Sequence, residues 1–228
     1  ARGELLTELL VSQPELLNGL ASSETFAAHK DTRRFRAELA PTLAPRLDAG
    51  ERRDRLRRLK QAQELGIIWR MLLAVTDAER FSLEMTALAE AVLAVAWTLA
   101  LGETAEIFGV PRDRRGRFVP AAIIGLGKLG GRELTTGSDL DLFVVYGGDG
   151  MTDGAQRMEA HVFYDRAVET LSGLLGDITA AGVAFAVDLR LRPGSKGSGF
   201  ASAAEALERY YREWADPWER QTLTRARL

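Results

Sequence analysis

AAIIGLGKLGGRELTTGSDLDLFVVY, residues 121–146, is the stretch whose reading decides the fold. Apolar runs over 119–124 and 140–146 have the character of strands, the first nearly continuous and the second alternating, with Gly and Thr turn residues between them. Because side chains alternate across a strand, Asp139 and Asp141 project to one side while Leu140 and Leu142 project to the other. Two carboxylates then line one edge, and leucines enter the core.

Neighbouring carboxylates repel, so such a pair needs a cation, a basic group or a shared proton to offset it. A divalent metal answers that need: magnesium takes hard oxygen ligands and is commonly held by one or two carboxylates together with substrate phosphates. The phosphate side has its own candidates. Gly125, Gly127, Gly130 and Gly131 let backbone N–H groups approach an anion, and Lys128 and Ser138 add a charge and a hydroxyl. Each part alone has an ordinary reading, a tight turn and a solvated strand edge. Joined at this spacing they point to a metal-assisted phosphoryl or nucleotidyl transferase. The turn has no Gly-Lys-Ser/Thr ending for a P-loop, and the second strand follows too soon for the helix of a Rossmann unit.

A third strand is expected over 183–191. Alternation there puts Asp188, Arg190 and Arg192 on one face and Val187, Leu189 and Leu191 on the other. Taken alone, this is an ion pair holding a sheet edge. The following residues, 194–199, form a flexible loop that is either a surface turn or a cover over the site.

Composition fits an enzyme piece with a sizeable core: 228 residues, 46% hydrophobic. Lys+Arg 30 against Asp+Glu 32 leaves a net charge of −2, which argues against general affinity for nucleic acid or an anionic membrane. With no cysteine, disulfides, thiolate metal sites and a cysteine nucleophile are excluded. His29 and His161 lie in unrelated segments without metal-ligand spacing and are read as structural or exposed. The chain opens on Ala1, carries no targeting signal and closes on Arg-Ala-Arg-Leu, read as helical, so a fragment of a longer chain is expected.

Helices dominate the first hundred residues. Leu5, Leu6, Leu9 and Leu10 make one apolar stripe, Pro14 suits a second helix start, and Pro41 breaks or kinks the segment 33–47. Asp48-Ala49-Gly50 is a turn candidate before a helix from about Glu51, whose cluster Arg52, Arg53, Arg55, Arg57 and Arg58 is read as a solvated face. Asp77 and Ser82 are candidate caps for a core helix to Leu99, its uninterrupted apolar run too short to cross a bilayer. A polar connection over 102–116 closes the helical part. Beyond the carboxylate strand, 155–175 is helical, Ser202 is a cap candidate for 203–214, and Pro217 starts a last helix carrying Arg225 and Arg227. Trp69, Trp97, Trp214 and Trp218 are read as packing residues. The expected architecture is α+β: a helical N-terminal region, 1–117, and a domain built on a small mixed sheet, 118–228.

Gly127-Lys128 followed roughly ten residues later by Ser138-Asp139-Leu140-Asp141 resembles the polymerase-beta-type nucleotidyltransferase superfamily. The longer string GLGKLGGRELTTGSDLDL, with VDLRLRP at 187–193 and WERQTLTRAR at 218–227, resembles the glutamine synthetase adenylyltransferase family, over most of the chain from about Leu56 onward. That resemblance implies a catalytic and metal-binding set of Asp139, Asp141 and Asp188. It implies ATP as substrate with two magnesium ions, and nucleotide contacts from Gly127, Lys128, Gly130, Gly131, Ser138, Arg190 and Arg192. Implied as well are transfer of AMP to a tyrosine hydroxyl of glutamine synthetase, control of nitrogen assimilation, a cytoplasmic location and a nitrogen-signalling protein partner acting through other parts of a longer chain. The flanks, WERQ at 218–221 and TRAR at 224–227, look more like the adenylylating half than the adenylyl-removing half, while Thr222 and Gly199-Phe200-Ala201 depart from it. A domain that removes AMP by phosphorolysis and a regulatory nucleotide-binding module are the alternatives. Neither nucleic acid nor membrane is expected as a partner.

Overall fold

A computed structural model describes residues 29–44, 46–192 and 199–228. The leucine stripe at Leu5 to Leu10, the helix start at Pro14 and residues 194–198 of the glycine-rich loop lie outside the described residues. Two compact units make up the chain. One takes in the described residues up to Val95 with 133–137 and 179–184; the other holds 96–132, 138–178 and 185–228.

The first unit is helical, and its helices begin where side chains satisfy their opening N–H groups. In α1 (Thr32–Leu39), Asp31 accepts from the Arg34 amide, and Phe35 and Leu39 are buried. A 3-10 turn, Ala40–Leu43, carries Pro41 in its first turn. Asp48 is not in a turn but caps α2 (Ala49–Leu72): it accepts from the Glu51 amide, and the Glu51 carboxylate reaches back to the Asp48 amide. The arginine cluster of α2 is not wholly a solvated face either. Arg57 is completely buried, and Lys60 pairs with Glu64 at 2.6 Å where both are buried.

Asp77 accepts from the Arg80 amide at the start of α3 (Ala78–Phe108), so Ser82 lies inside the helix and is no cap. The helix passes Leu99 and runs through 102–108, which sequence reading made a connection; Gly102 sits within it because an isolated glycine costs only about 1 kcal/mol relative to alanine. At 31 residues with mean hydropathy 1.7 over its most apolar window, α3 is long and apolar enough to cross a membrane, which corrects the shorter estimate. Yet 61% of that window is buried inside the protein, as in a core helix.

The second unit is built on β2 (Ala121–Gly125) and β3 (Leu140–Tyr146), antiparallel with Ala121 opposite Tyr146 and Gly125 opposite Leu142. On its other edge β3 takes two short parallel strands, β5 (Val187–Asp188) and β6 (Ala201–Ala203). The sheet is therefore mixed, and the class is α+β. A separate two-stranded ribbon joins β1 (Pro111–Arg112) to β4 (Met151–Thr152). Between β2 and β3 lies the one-turn helix α4 (Gly127–Gly131). The long helix of this unit is α5 (Ala160–Gly176), and α6 (Ala204–Glu213), α7 (Pro217–Thr222) and a 3-10 turn, Leu223–Arg225, close the chain.

Central position explains why β3 is apolar on both faces: Leu140, Leu142 and Val144 are fully buried and Phe143 nearly so. Helix α5 lays Phe163, Tyr164 and Val168 into a core with Val119, Val144 and Tyr146. Burying such side chains contributes roughly 1.5–3 kcal/mol each. Tyr146 and Tyr164 stack at 5.3 Å, and the Tyr164 hydroxyl donates to the Val119 carbonyl. That hydroxyl is buried enough for its pKa to be pushed up to about 12.

Several boundaries move. The third strand spans two residues rather than 183–191, because the Arg190 amide turns back onto Asp188 Oδ1 at 2.8 Å and the Arg192 amide onto the Leu189 carbonyl at 3.2 Å. Alternation therefore does not govern Arg190 and Arg192. Ser202 belongs to β6, and α6 begins after Ala203 with no side-chain cap. Trp214 and Trp218 are 62% and 53% exposed, so neither is a packing residue within this chain. Arg225 and Arg227 lie past the last α-helix, and Ala226 is extended.

Candidate active site

Every residue of the candidate site lies within the second unit. Asp141 stands on β3 directly opposite Asp188 of β5, and the Leu140 amide donates to the Ala186 carbonyl at 2.8 Å, which fixes that register. Asp139 precedes β3 and is exposed, Leu140 is buried, and Asp141 is half-buried, so the alternation read from the sequence holds here. Three carboxylates thus meet at one end of the mixed sheet.

Their electrostatics reflect that crowding. Asp141 is held above the ordinary carboxylate range, first by burial and then by repulsion from Asp188 and Asp139, with Arg190 and Lys128 opposing the shift. Asp188 is held below the range, chiefly by its hydrogen bonds with Arg190. The Arg190 Nε lies 3.0 and 2.9 Å from the two Asp188 oxygens, a forked charge-assisted contact. Arg190 in turn feels Asp139 and Asp141 as well as Asp188. Its guanidinium is the cation nearest the acidic cluster that also belongs to the predicted nucleotide set.

The glycine turn meets this edge closely. Gly127 takes a left-handed φ of 51°, and a first side-chain carbon there would overlap Asp141 Oδ2. The Leu126 amide donates to the Asp141 carbonyl at 2.8 Å, tying the turn to β3 through backbone as well. Lys128 is exposed on α4, close enough to Asp141 to act on its charge. Ser138 is buried immediately before Asp139. Gly130 faces the opposite way, against the chain's last residues: a side chain there would run into the Arg225 carbonyl. Gly131 closes α4, and Arg132 follows in the left-handed region as its cap.

Arg192 donates to the Leu189 carbonyl at 2.9 Å and the Gly199 carbonyl at 3.3 Å and lies over the Phe200 ring at 5.4 Å, which ties Gly199 and Phe200 to the turn after β5. His161 is exposed beside Glu159, and His29 pairs with Glu84 in the first unit, so neither joins the site.

Three hard carboxylate oxygen donors, one of them raised in pKa by burial and then by its acidic neighbours, suit a hard divalent cation in charge and donor type. Spacing is the remaining requirement: among the described residues no group of three His, Cys, Asp or Glu is drawn together at metal-binding separation. Asp188 already has a cation as partner in the Arg190 guanidinium, so the donor set fits a divalent metal in charge and donor type and not in spacing.

Sequence reading missed Arg227. Its backbone pairs with Gly125 in both directions, Gly125 N–H to Arg227 O at 2.8 Å and Arg227 N–H to Gly125 O at 3.0 Å. Its guanidinium donates to the Leu129 carbonyl at 2.9 Å and the Gly130 carbonyl at 3.2 Å. The available signal was the left-handed, glycine-rich end of α4, whose carbonyls need donors from outside the helix.

A family model described as Glutamate-ammonia ligase adenylyltransferase matches residues 1–228. Curated relatives carry the name bifunctional glutamine synthetase adenylyltransferase/adenylyl-removing enzyme. That of Bordetella pertussis is 37% identical over 196 residues, covering 85% of this chain and 21% of its own. Relatives from Shewanella loihica and Pseudomonas syringae pv. tomato are 32% and 30% identical, over 98% and 100% of this chain and 23% of theirs in both cases. The chain thus spans under a quarter of the length of these relatives.

Proposed function

The chain belongs to the glutamate-ammonia ligase adenylyltransferase family, and from that premise we propose that its sheet edge transfers AMP from ATP to a tyrosine hydroxyl of glutamine synthetase, regulating nitrogen assimilation. The observation that carries this reading is the pairing of Asp141 with Asp188 across β3 and β5, next to a glycine turn whose first residue has no room for a side chain. In the reaction the acceptor oxygen bonds to the α-phosphorus, the bond to the β-phosphate oxygen breaks, and pyrophosphate leaves.

Asp139, Asp141 and Asp188 would hold magnesium, which when bound neutralises charge on the attacking and leaving oxygens. Gly127 and Gly131 let the backbone come close to the triphosphate, while Gly130 makes room for the Arg225 carbonyl behind the turn, and Lys128 and Ser138 supply an ammonium and a hydroxyl. Arg190 offers a forked donor that suits phosphate as well as it suits Asp188. When Arg190 turns to phosphate, Asp188 becomes available to take the proton of the acceptor hydroxyl. Arg192 is the second guanidinium of the proposed nucleotide-contact set. A nitrogen-signalling protein would act through parts of a longer chain, in the cytoplasm.

Direction is set by the acceptor pocket, since both AMP transfer and phosphorolytic removal pass through in-line displacement at phosphorus. The flanking WERQ and TRAR strings favour transfer. The test supplies the protein with labelled ATP, magnesium and unmodified glutamine synthetase, and separately with adenylylated glutamine synthetase and inorganic phosphate without ATP. Labelled adenylyl-tyrosine in the first arm is the expected result. Release of ADP in the second arm with no incorporation in the first would assign the chain to AMP removal instead.

A further inference from the structure

Helix α4 spans five residues, Gly127–Gly131, less than two turns, and three of the five are glycine. A helix this short and this glycine-rich does not hold its own shape, because nucleation is costly and glycine is a poor helix former. Something outside must fix it. On the sheet side, Gly127 abuts Asp141 and the Leu126 amide bonds to the Asp141 carbonyl. On the far side stands the chain segment after the last 3-10 turn.

That segment is shaped to the turn. Gly130 leaves room for the Arg225 carbonyl where any other residue would collide with it, and Arg227 extends the edge of β2 by a two-way backbone pair with Gly125. From there the Arg227 side chain bends over the end of α4 and donates Nη2 to Leu129 O and Nε to Gly130 O. The last carbonyls of a helix lack intrahelical donors and carry its negative end, so a guanidinium there is favoured by hydrogen bonding and by charge together. Residues 125–131 are thereby clamped between Asp141 and Arg227.

We propose that Arg227 is a positioning residue for nucleotide binding: resting on the function proposed above, it sets the distance and tilt of the Gly127–Lys128 backbone relative to the three carboxylates without touching substrate. The inference follows from where its bonds go. The guanidinium bonds to Leu129 and Gly130 fall on α4 itself, and the backbone pair falls on Gly125, two residues before it. A change at Arg227 therefore reaches the glycine turn directly.

The test compares wild type, Arg227→Lys and Arg227→Ala in the full chain. Three readouts are taken: affinity for the unreactive α,β-methylene analogue of ATP with magnesium by titration calorimetry, the KM values for ATP and for acceptor, and hydrogen exchange of the 125–131 amides. For Arg227→Ala the expectation is analogue binding and ATP KM each weakened about tenfold, with acceptor KM unchanged and faster exchange confined to the turn. Arg227→Lys, which keeps the charge but not the fork, recovers part of the affinity. A variant that melts lower yet binds the analogue as tightly as wild type would reduce Arg227 to a structural role and overturn the proposal. Should Arg227→Ala fail to fold, the lysine variant decides alone: unchanged affinity and unchanged exchange overturn it. Loss of AMP transfer in the wild type with analogue binding intact would count against the proposed reaction, while the binding and exchange readouts still test Arg227. A wild type that does not bind the analogue removes the ground for both.

Discussion

Gly127 and Asp141 share a volume that only one side chain can fill, and Asp141 fills it. Replacing Gly127 by alanine imposes a left-handed backbone on a residue with a Cβ, at about 1–2 kcal/mol, and also pushes that carbon into the Asp141 carboxylate. The expected outcome for Gly127→Ala is loss of AMP transfer by about 100-fold or more, since small displacements of reacting groups are that costly. Gly116 is the control. It has a similar backbone, φ 76°, but open space where a Cβ would go, so Gly116→Ala should lose stability and retain turnover. Equal activity in the two variants would separate the glycine turn from the chemistry.

Asp141 and Asp188 face each other across two strands yet have pKa shifts of opposite sign, which predicts opposite effects on stability. Because Asp141 is raised in the folded state, its stabilising contribution is present below the ordinary carboxylate range and is lost as pH rises through the raised value. At neutral pH, in chelator, Asp141→Asn is expected to melt higher than wild type, and the difference should close in acid. Asp188 is lowered, so its contribution is present above the ordinary range and is lost as pH falls through the lowered value. Asp188→Asn should melt lower at neutral pH and match wild type in acid. Thermal melts of both variants, taken from about pH 7 stepwise down into acid below the ordinary carboxylate range, check the signs. Both variants, and Asp139→Asn, are expected to lose most AMP transfer while remaining folded.

Lys128 is exposed, yet it acts on the charge of Asp141. Lys128→Ala is expected to raise the KM for ATP several-fold, with the KM for acceptor and the melting temperature little changed. An unaltered ATP dependence would remove Lys128 from the phosphate side of the site.

Local patterns carried the central hairpin and the first two acids: alternation in 140–146 forced Leu140 and Leu142 inward and Asp141 to the edge, and the strand fell on those residues. Asp188 was legible only through the family resemblance, because its strand is two residues long and the neighbouring turn is made by its own side chain. Arg57 looked like surface charge because periodicity is blind to what packs against a helix. Trp214 and Trp218 looked like core because size and apolarity say nothing about whether a partner face exists. Arg227 was illegible for a further reason. Its partners Gly125, Leu129 and Gly130 lie about a hundred residues earlier, and a helical reading of 223–228 hid the extended backbone that reaches them.

The first unit has its own electrostatic centre, and its cost can be measured. Glu84 is 2% exposed on α3 and takes an ion pair from Arg70, a contact from His29 Nδ1 at 3.0 Å and the Lys30 amide at 3.0 Å. Arg70 is nearly as buried, at 5%. Two desolvated charges repay their burial only while both are present, so Arg70→Met is expected to cost about 3–5 kcal/mol by leaving Glu84 without its main counter-charge. Adding Glu84→Leu to that variant should recover part of the loss, because an apolar pair has no charge to desolvate. Recovery stays incomplete: the Lys30 amide and the His29 ring lose their acceptor, and an orphaned polar group costs about 1–3 kcal/mol. Urea unfolding of the two single variants and the double variant closes the cycle. A cost for Arg70→Met below about 1 kcal/mol, the range of a surface pair, would mean that Glu84 is not held as a buried carboxylate in the folded protein.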